Sequence, residues 1–96
     1  MEFTIEFSPE AERHLEQFSA RERKIIVTAI ETQLSGQADI PTRNRKVLRE
    51  NPLARWEMRV REFRVFYNIE ELTVSIAAIG TKDGNKVIIE GEEHTL

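Results

Sequence analysis

Ninety-six residues, 40% of them hydrophobic and 32% charged, describe one domain near the lower limit of a self-sufficient core; disorder is not the expected state. With no cysteine there is no disulfide framework, thiolate metal site or thiol nucleophile. Met1 to Phe7 alternates acidic and apolar residues with no basic start, so neither a signal peptide nor a membrane span is expected, and the reading is cytoplasmic. The net charge of −3 hides a strong polarity: eight basic and three acidic residues between Pro41 and Arg64 give +5, which leaves −8 for the rest. One surface should attract phosphates while the remainder repels them.

In chain order, Phe3, Ile5 and Phe7 share one face of a short strand over Glu2–Phe7. Ser8-Pro9-Glu10 starts a helix, with serine as N-cap, proline at its first position and an acid near the positive dipole end. Ala11, Leu15 and Phe18 form its stripe. Ser19 to Glu22 has capping-box spacing and opens a second helix with Ile25, Ile26, Ala29, Ile30 and Leu34 on its apolar face; Gly36 is its expected stop. After a polar connection over residues 37–44 the period changes from helical to alternating. Short strands are expected at Lys46–Arg49 and Trp56–Val60, a turn at Arg61-Glu62, and strands at Phe63–Ile69 and Leu72–Ile79, the last apolar on both faces and therefore central. Asp83-Gly84-Asn85 turns into a possible edge strand at Lys86–Ile89, and residues 90–96 read as an acidic, frayed tail. The order implies an α+β fold of two layers over residues 1–96: an N-terminal strand, a helical hairpin, then an antiparallel meander with both helices on one face of the sheet and the other face open.

Because strand side chains alternate, Glu57 and Arg59 point away from Trp56, Met58 and Val60, and Arg64 points away from Val65 and Tyr67. The hairpin register should bring Arg59 and Arg64 together on the open face, with Arg61 at the turn and Lys46 or Arg49 joining from the neighbouring strand. Converging guanidinium groups form a fork matched to phosphate oxygens. The plainer alternative is cross-strand pairing with Glu50, Glu57 or Glu62 in an ordinary surface ladder. Phe63 and Phe66, beside these arginines, are candidates for stacking on an unpaired base, although aromatics there are more often core packing. His14 and His94 lack partners at metal-ligand spacing, no Ser/His/Asp arrangement is legible, and Gly80 and Gly84 read as strand-end and turn glycines; no metal or cofactor is expected.

The string Trp56-Glu57-Met58-Arg59-Val60-Arg61-Glu62-Phe63-Arg64-Val65-Phe66-Tyr67 resembles the "W-x-L-R-V-G-D-[FY]-R-V-[FY]-Y" core of RelE/ParE-superfamily toxins. Ala77 to Lys82 resembles the "A-I-G-x-K/R" segment of that superfamily, and Thr42 to Leu53 the "T-R-N-R-K-x-L-R-x-N-P-L" run of one bacterial branch, so the likeness spans nearly the whole chain. The resemblance implies the toxin of a type II toxin–antitoxin system. In its RelE-like branch this is a metal-independent, ribosome-dependent mRNA endoribonuclease in which a ribose 2′-hydroxyl attacks the adjacent phosphodiester and basic residues stabilise the developing charge. Carried over, Arg64, Arg59 and Lys82 are the catalytic candidates, and Lys46, Arg49, Arg61, Arg45 and Phe63 the RNA- or phosphate-binding ones. Implied partners are a cognate antitoxin, the ribosome and mRNA, with no membrane and no cofactor. Ile88 stands where many relatives carry a tyrosine, Asp83 replaces a basic residue, and Arg61 stands where the superfamily has glycine. Two other functions therefore stay open: a catalytically inactive antitoxin- or RNA-binding module, and a ParE-like gyrase inhibitor.

Overall fold

A computed structural model describes residues 2–96. Nine elements follow one another: β1 (Thr4–Phe7), α1 (Pro9–Glu16), α2 (Ala20–Gln37), β2 (Arg45–Val47), β3 (Trp56–Val60), β4 (Phe63–Glu70), β5 (Thr73–Asp83), β6 (Lys86–Ile89) and β7 (Glu92–His94). Both helix starts form as their sequences dictate. The Ser8 hydroxyl accepts from the Ala11 N–H at 3.0 Å, and Ser19 and Glu22 close a reciprocal capping box. Gly36 does not end α2, which runs one residue further to Gln37.

The strands build one sheet in the order β2-β3-β4-β5-β6-β7, antiparallel throughout, while β1 pairs parallel with the first part of β5. β1 and β6 thus share one edge of β5, covering Thr73–Ile76 and Thr81–Asp83 respectively, and leave the backbone between them without a strand partner. Helix α1 fills that gap. The Ser8 N–H donates to the Ile76 carbonyl, its hydroxyl to the Ala77 carbonyl, and the Ile79 N–H donates to His14 Nδ1 at 3.1 Å. A buried backbone group without a partner is costly, so these contacts fix where α1 sits on the sheet.

Both helices pack on one face, giving the two-layer α+β arrangement. Ile26, Ile30 and Leu34 of α2 meet Met58, Val65, Tyr67, Val74, Ile76 and Ile79 of the sheet. The register between β4 and β5 slips at Ala77, so that Ile76 and Ile79, three apart, both face the helices. That bulge is one reason β5 looks apolar on both faces. Tyr67, fully buried, stacks on Trp56 with ring centroids 5.7 Å apart and donates to the Ala38 carbonyl at 2.8 Å. Burial pushes its phenol well above the usual tyrosine range. Tyr67→Phe removes the donor and strands that carbonyl. We expect a loss of about 1–2 kcal/mol in urea unfolding with the fold retained.

Three expectations are corrected. The strand assigned to Lys46–Arg49 is Arg45–Val47, because Arg49 already belongs to the loop that Asn51 closes with bonds to Arg49, Leu53 and Ala54. Residues 90–96 are not simply a frayed tail: Glu90 and Gly91, at φ 51° and 78°, make a tight turn, and Glu92–His94 pairs with β6. The face away from the helices is not fully open either. Phe66, Ala78, Val87, Ile89 and Ala54 form a second apolar cluster there, with Leu48 and Leu53 packed against it. Among the described residues no helix is long and apolar enough to cross a membrane.

Candidate functional site

On the face away from the helices, the side-chain alternation of β3 and β4 exposes a row of charge beside that second cluster. Arg59 and Arg64 are direct cross-strand partners, and Gly80 is the neighbour of Arg64 on β5. One step along the same face, Glu57 pairs with Lys46 of β2, Nζ to Oε1 at 3.7 Å. Like charges placed directly opposite on a sheet destabilise it. Here the carboxylate one step along the same face is Glu57, whose side chain is only 13% exposed.

Arg59 is exposed, whereas Arg64 is 7% exposed. One terminal nitrogen of Arg64 donates to the carbonyls of Arg61 and Phe63, both at 2.8 Å, which orients the guanidinium beside the β3–β4 turn. Burial and then the Arg59 charge pull its pKa below the usual arginine value, with Glu57 opposing. A partly desolvated cation facing a second cation favours an anion that bridges both, since the bridging charge relieves their repulsion and gains charge-assisted bonds. Lys82 stands opposite Val87, on the same face and two residues beyond Gly80, and its backbone N–H is tied to the Glu62 carbonyl at 2.7 Å. Arg61, at φ 55°, forms the turn, which explains why glycine suits this position.

Lys46, Arg59, Arg64 and Lys82 therefore share one face, with only Arg59 and Arg64 directly apposed, Arg61 at their edge and Arg49 exposed in the loop beyond β2. Arg45 and Phe63 are not. Arg45, 3% exposed, lies on the helix side, where it donates to the side chains of Gln33 and Gln37 and to the Ile40 carbonyl. No basic residue lies in the last turn of α2, and Arg45 supplies the cation that complements its negative end. Phe63 is 3% exposed and packs edge-on against Phe18, ring centroids 5.3 Å apart, so neither face is available to a base. Phe66 is fully buried in the second cluster. Ile88 pairs with Thr81 and lines a small cavity with His14 and Phe18 on the helix side, opposite the arginines. Glu57 was visible in the alternation as a neighbour of Arg59; its half-buried setting among cations was not.

A second titratable cluster lies across the sheet. His14, 5% exposed, accepts the Ile79 N–H at Nδ1, which places its proton on Nε2, 3.3 Å from Glu90 Oε1. Arg13 holds the same carboxylate through two bonds of 2.8 and 3.0 Å. Burial lowers the imidazole pKa, only partly offset by Glu90, while the Arg13 hydrogen bond lowers that of Glu90. The folded imidazole binds its proton less readily than the unfolded one, so its contribution is present above about pH 6.5 and is lost as pH falls through the depressed value. The unfolding free energy from urea titrations should accordingly drop between pH 7.5 and 5.5, by at most roughly 1.4 kcal/mol per pH unit for one proton, and drop less in His14→Gln. An equal drop in both proteins would remove His14 from the account.

The family model described as the ParE toxin of type II toxin–antitoxin systems matches residues 5–85. Among solved structures, the toxin–antitoxin complex RelBE2 from Mycobacterium tuberculosis contains a chain that is 25% identical and superposes with a TM-score of 0.73, covering 85% of this chain and 100% of that one. No curated protein sequence matches the chain closely enough to count as a relative.

Proposed function

Because the chain belongs to the ParE toxin family of type II toxin–antitoxin systems, within the RelE/ParE superfamily, we propose that it arrests growth by cutting translated mRNA on the face that carries Arg59 and Arg64, and that a cognate antitoxin neutralises it. The observation that carries this reading is the direct apposition of the two arginines beside Glu57. Their guanidinium groups bind the non-bridging oxygens of a phosphodiester. The neighbouring ribose 2′-oxygen attacks phosphorus and gives its proton to the Glu57 carboxylate; the bond to the 5′-oxygen breaks, and that oxygen takes a proton from solvent water, leaving a cyclic phosphate and a free 5′-hydroxyl, while Glu57 returns its proton to solvent. Lys46 and Lys82 flank the pair and add positive potential for the RNA backbone.

A second reading is inhibition of a DNA topoisomerase through protein contact. It is favoured by the placement of Ile88, Tyr67 and His14: none of them presents a proton-transfer group to the arginine face. Primer extension on cellular mRNA after brief induction separates the two. Cuts within reading frames that vanish in Glu57→Gln and Arg59→Ala support the nuclease. Intact mRNA together with loss of DNA supercoiling by purified gyrase would replace it with the second reading.

A further inference from the structure

A cavity of about 370 Å³ lies between the loop that joins β2 to β3 and the second half of β4, lined by Glu50, Pro52, Leu53, Arg55 and Asn68 among others. The loop is already set in shape. The Asn51 amide nitrogen donates to the Arg49 and Ala54 carbonyls, and its side-chain oxygen accepts from the Leu53 and Ala54 N–H groups. Leu48, Leu53 and Ala54 anchor the loop in the second apolar cluster, so the cavity opens on the same face as the arginine pair. Three polar side chains in it have unused capacity. The Asn68 side-chain oxygen accepts the Arg55 N–H at 2.8 Å, which fixes the orientation of that amide and leaves its NH2 donors without a partner among the described residues. There the Glu50 carboxylate and the Arg55 guanidinium form no ion pair.

We infer that this cavity holds a guanine of the RNA strand, with its N1–H and N2 amino group on Glu50 and its O6 on Asn68 or Arg55. The inference rests on reading the arginine face as the RNA site, and it adds the choice of base. A carboxylate only accepts, whereas amide NH2 and guanidinium groups only donate. The Watson–Crick edge of guanine offers two adjacent donors, matched to the two oxygens of one carboxylate, next to a carbonyl that takes an N–H. Adenine, cytosine and uracil each present a single donor group on that edge, so one of them would set a lone pair against Glu50. The exposed Pro52 ring and half-buried Leu53 give the base apolar surface to rest against. Distance fits the same strand. Arg55 lies four residues from Arg59 and Asn68 four from Arg64, with the Glu57–Phe66 pair between, a span of roughly 13 Å. An unpaired strand with one phosphate on the arginines therefore carries a nearby base to the cavity.

The test uses three uridine oligomers of about five nucleotides with a central guanosine, inosine or adenosine, 2′-O-methylated so that none can be cut. Added to the isotope-labelled protein, the guanosine oligomer should shift the amide signals of Leu53, Arg55 and Asn68. It should bind about tenfold more tightly than the adenosine oligomer, with inosine, which lacks the N2 amino group, between them. Glu50→Gln, a change at an exposed loop position whose spectrum should remain that of the folded protein, should remove the preference, while Arg59→Ala should weaken all three oligomers alike. Equal binding of the three, a preference that survives Glu50→Gln, or shifts confined to Arg59 and Arg64 would overturn the inference. So would free guanosine monophosphate binding as tightly as the oligomer, since it cannot span to the arginines. Primer extension reads cutting and this titration reads base preference. Cuts without a preference would therefore sink the cavity alone, and a preference without cuts the nuclease alone.

Discussion

Arg59→Ala is expected to abolish toxicity without costing stability. Removing one charge-assisted contact to a developing oxyanion lowers a rate by roughly 10²–10³-fold, enough to erase growth arrest at ordinary expression levels. Arg59 is exposed and directly faces Arg64, so its deletion also relieves a like-charge cross-strand contact, and the unfolding free energy should stay level or rise by ~0.3 kcal/mol. Arg64→Ala should behave differently. It loses the reaction and also the two bonds that tie the guanidinium to the β3–β4 turn, so its midpoint should fall as well. The pair of substitutions therefore separates function from folding. Urea unfolding beside a growth assay reads both, and an Arg59→Ala protein that is destabilised yet still toxic would end the assignment of this face.

Gly80→Ala is expected to be the most damaging small substitution outside the apolar core. A methyl group at that Cα would lie 2.6 Å from the Ile88 carbonyl oxygen, 2.7 Å from Ile89 and 2.9 Å from Val87, and the first of these is backbone. β6 would have to move away from β5, which separates Val87 and Ile89 from the second cluster and disturbs the cross-strand neighbour of Arg64. Overpacking of this kind costs about 2–3 kcal/mol, a drop in Tm on the order of 10–20 °C for a chain of this size. Gly84→Ala is the control. At φ 64° with nothing within 4 Å of the added methyl group, it carries only the backbone penalty of about 1 kcal/mol. Thermal unfolding of both proteins decides the matter: equal losses would mean that Gly80 is needed only for its backbone conformation.

The contrast between these glycines also shows what reading residues in order can and cannot reach. Both look like strand-end or turn glycines, and for Gly84 that is sufficient. Gly80 lies inside β5, and the reason for it is a strand that arrives from later in the chain and passes too close for a side chain. The same limit applies to His14. Its place on a helix face is a local property, but its partners, Ile79 and Glu90, are 65 and 76 positions away and come together only because β1 and β6 divide one edge of β5 between them.

What the amino-acid order determined by itself is everything governed by short-range periodicity and local hydrogen bonding. Ser8 and Ser19 start the helices because their hydroxyls reach N–H groups three residues on. The two-residue alternation places Glu57, Arg59 and Arg64 on one face and Trp56, Met58, Val65 and Tyr67 on the other, which set both the layer order and the arginine pair. The string around that pair also carried the family. Tertiary structure alone decided which cations remain free: Arg45 and Arg64 are both buried, yet one is consumed by the end of α2 while the other faces Arg59. It also decided that Phe63 serves the core, that Ile88 lies opposite the arginines, and that the chain after Ile89 returns as β7. The physical reason is common to all of these. Burial and long-range pairing depend on which segments meet in space, and the cost of an unpaired polar group or of a clash is assessed only once they have met.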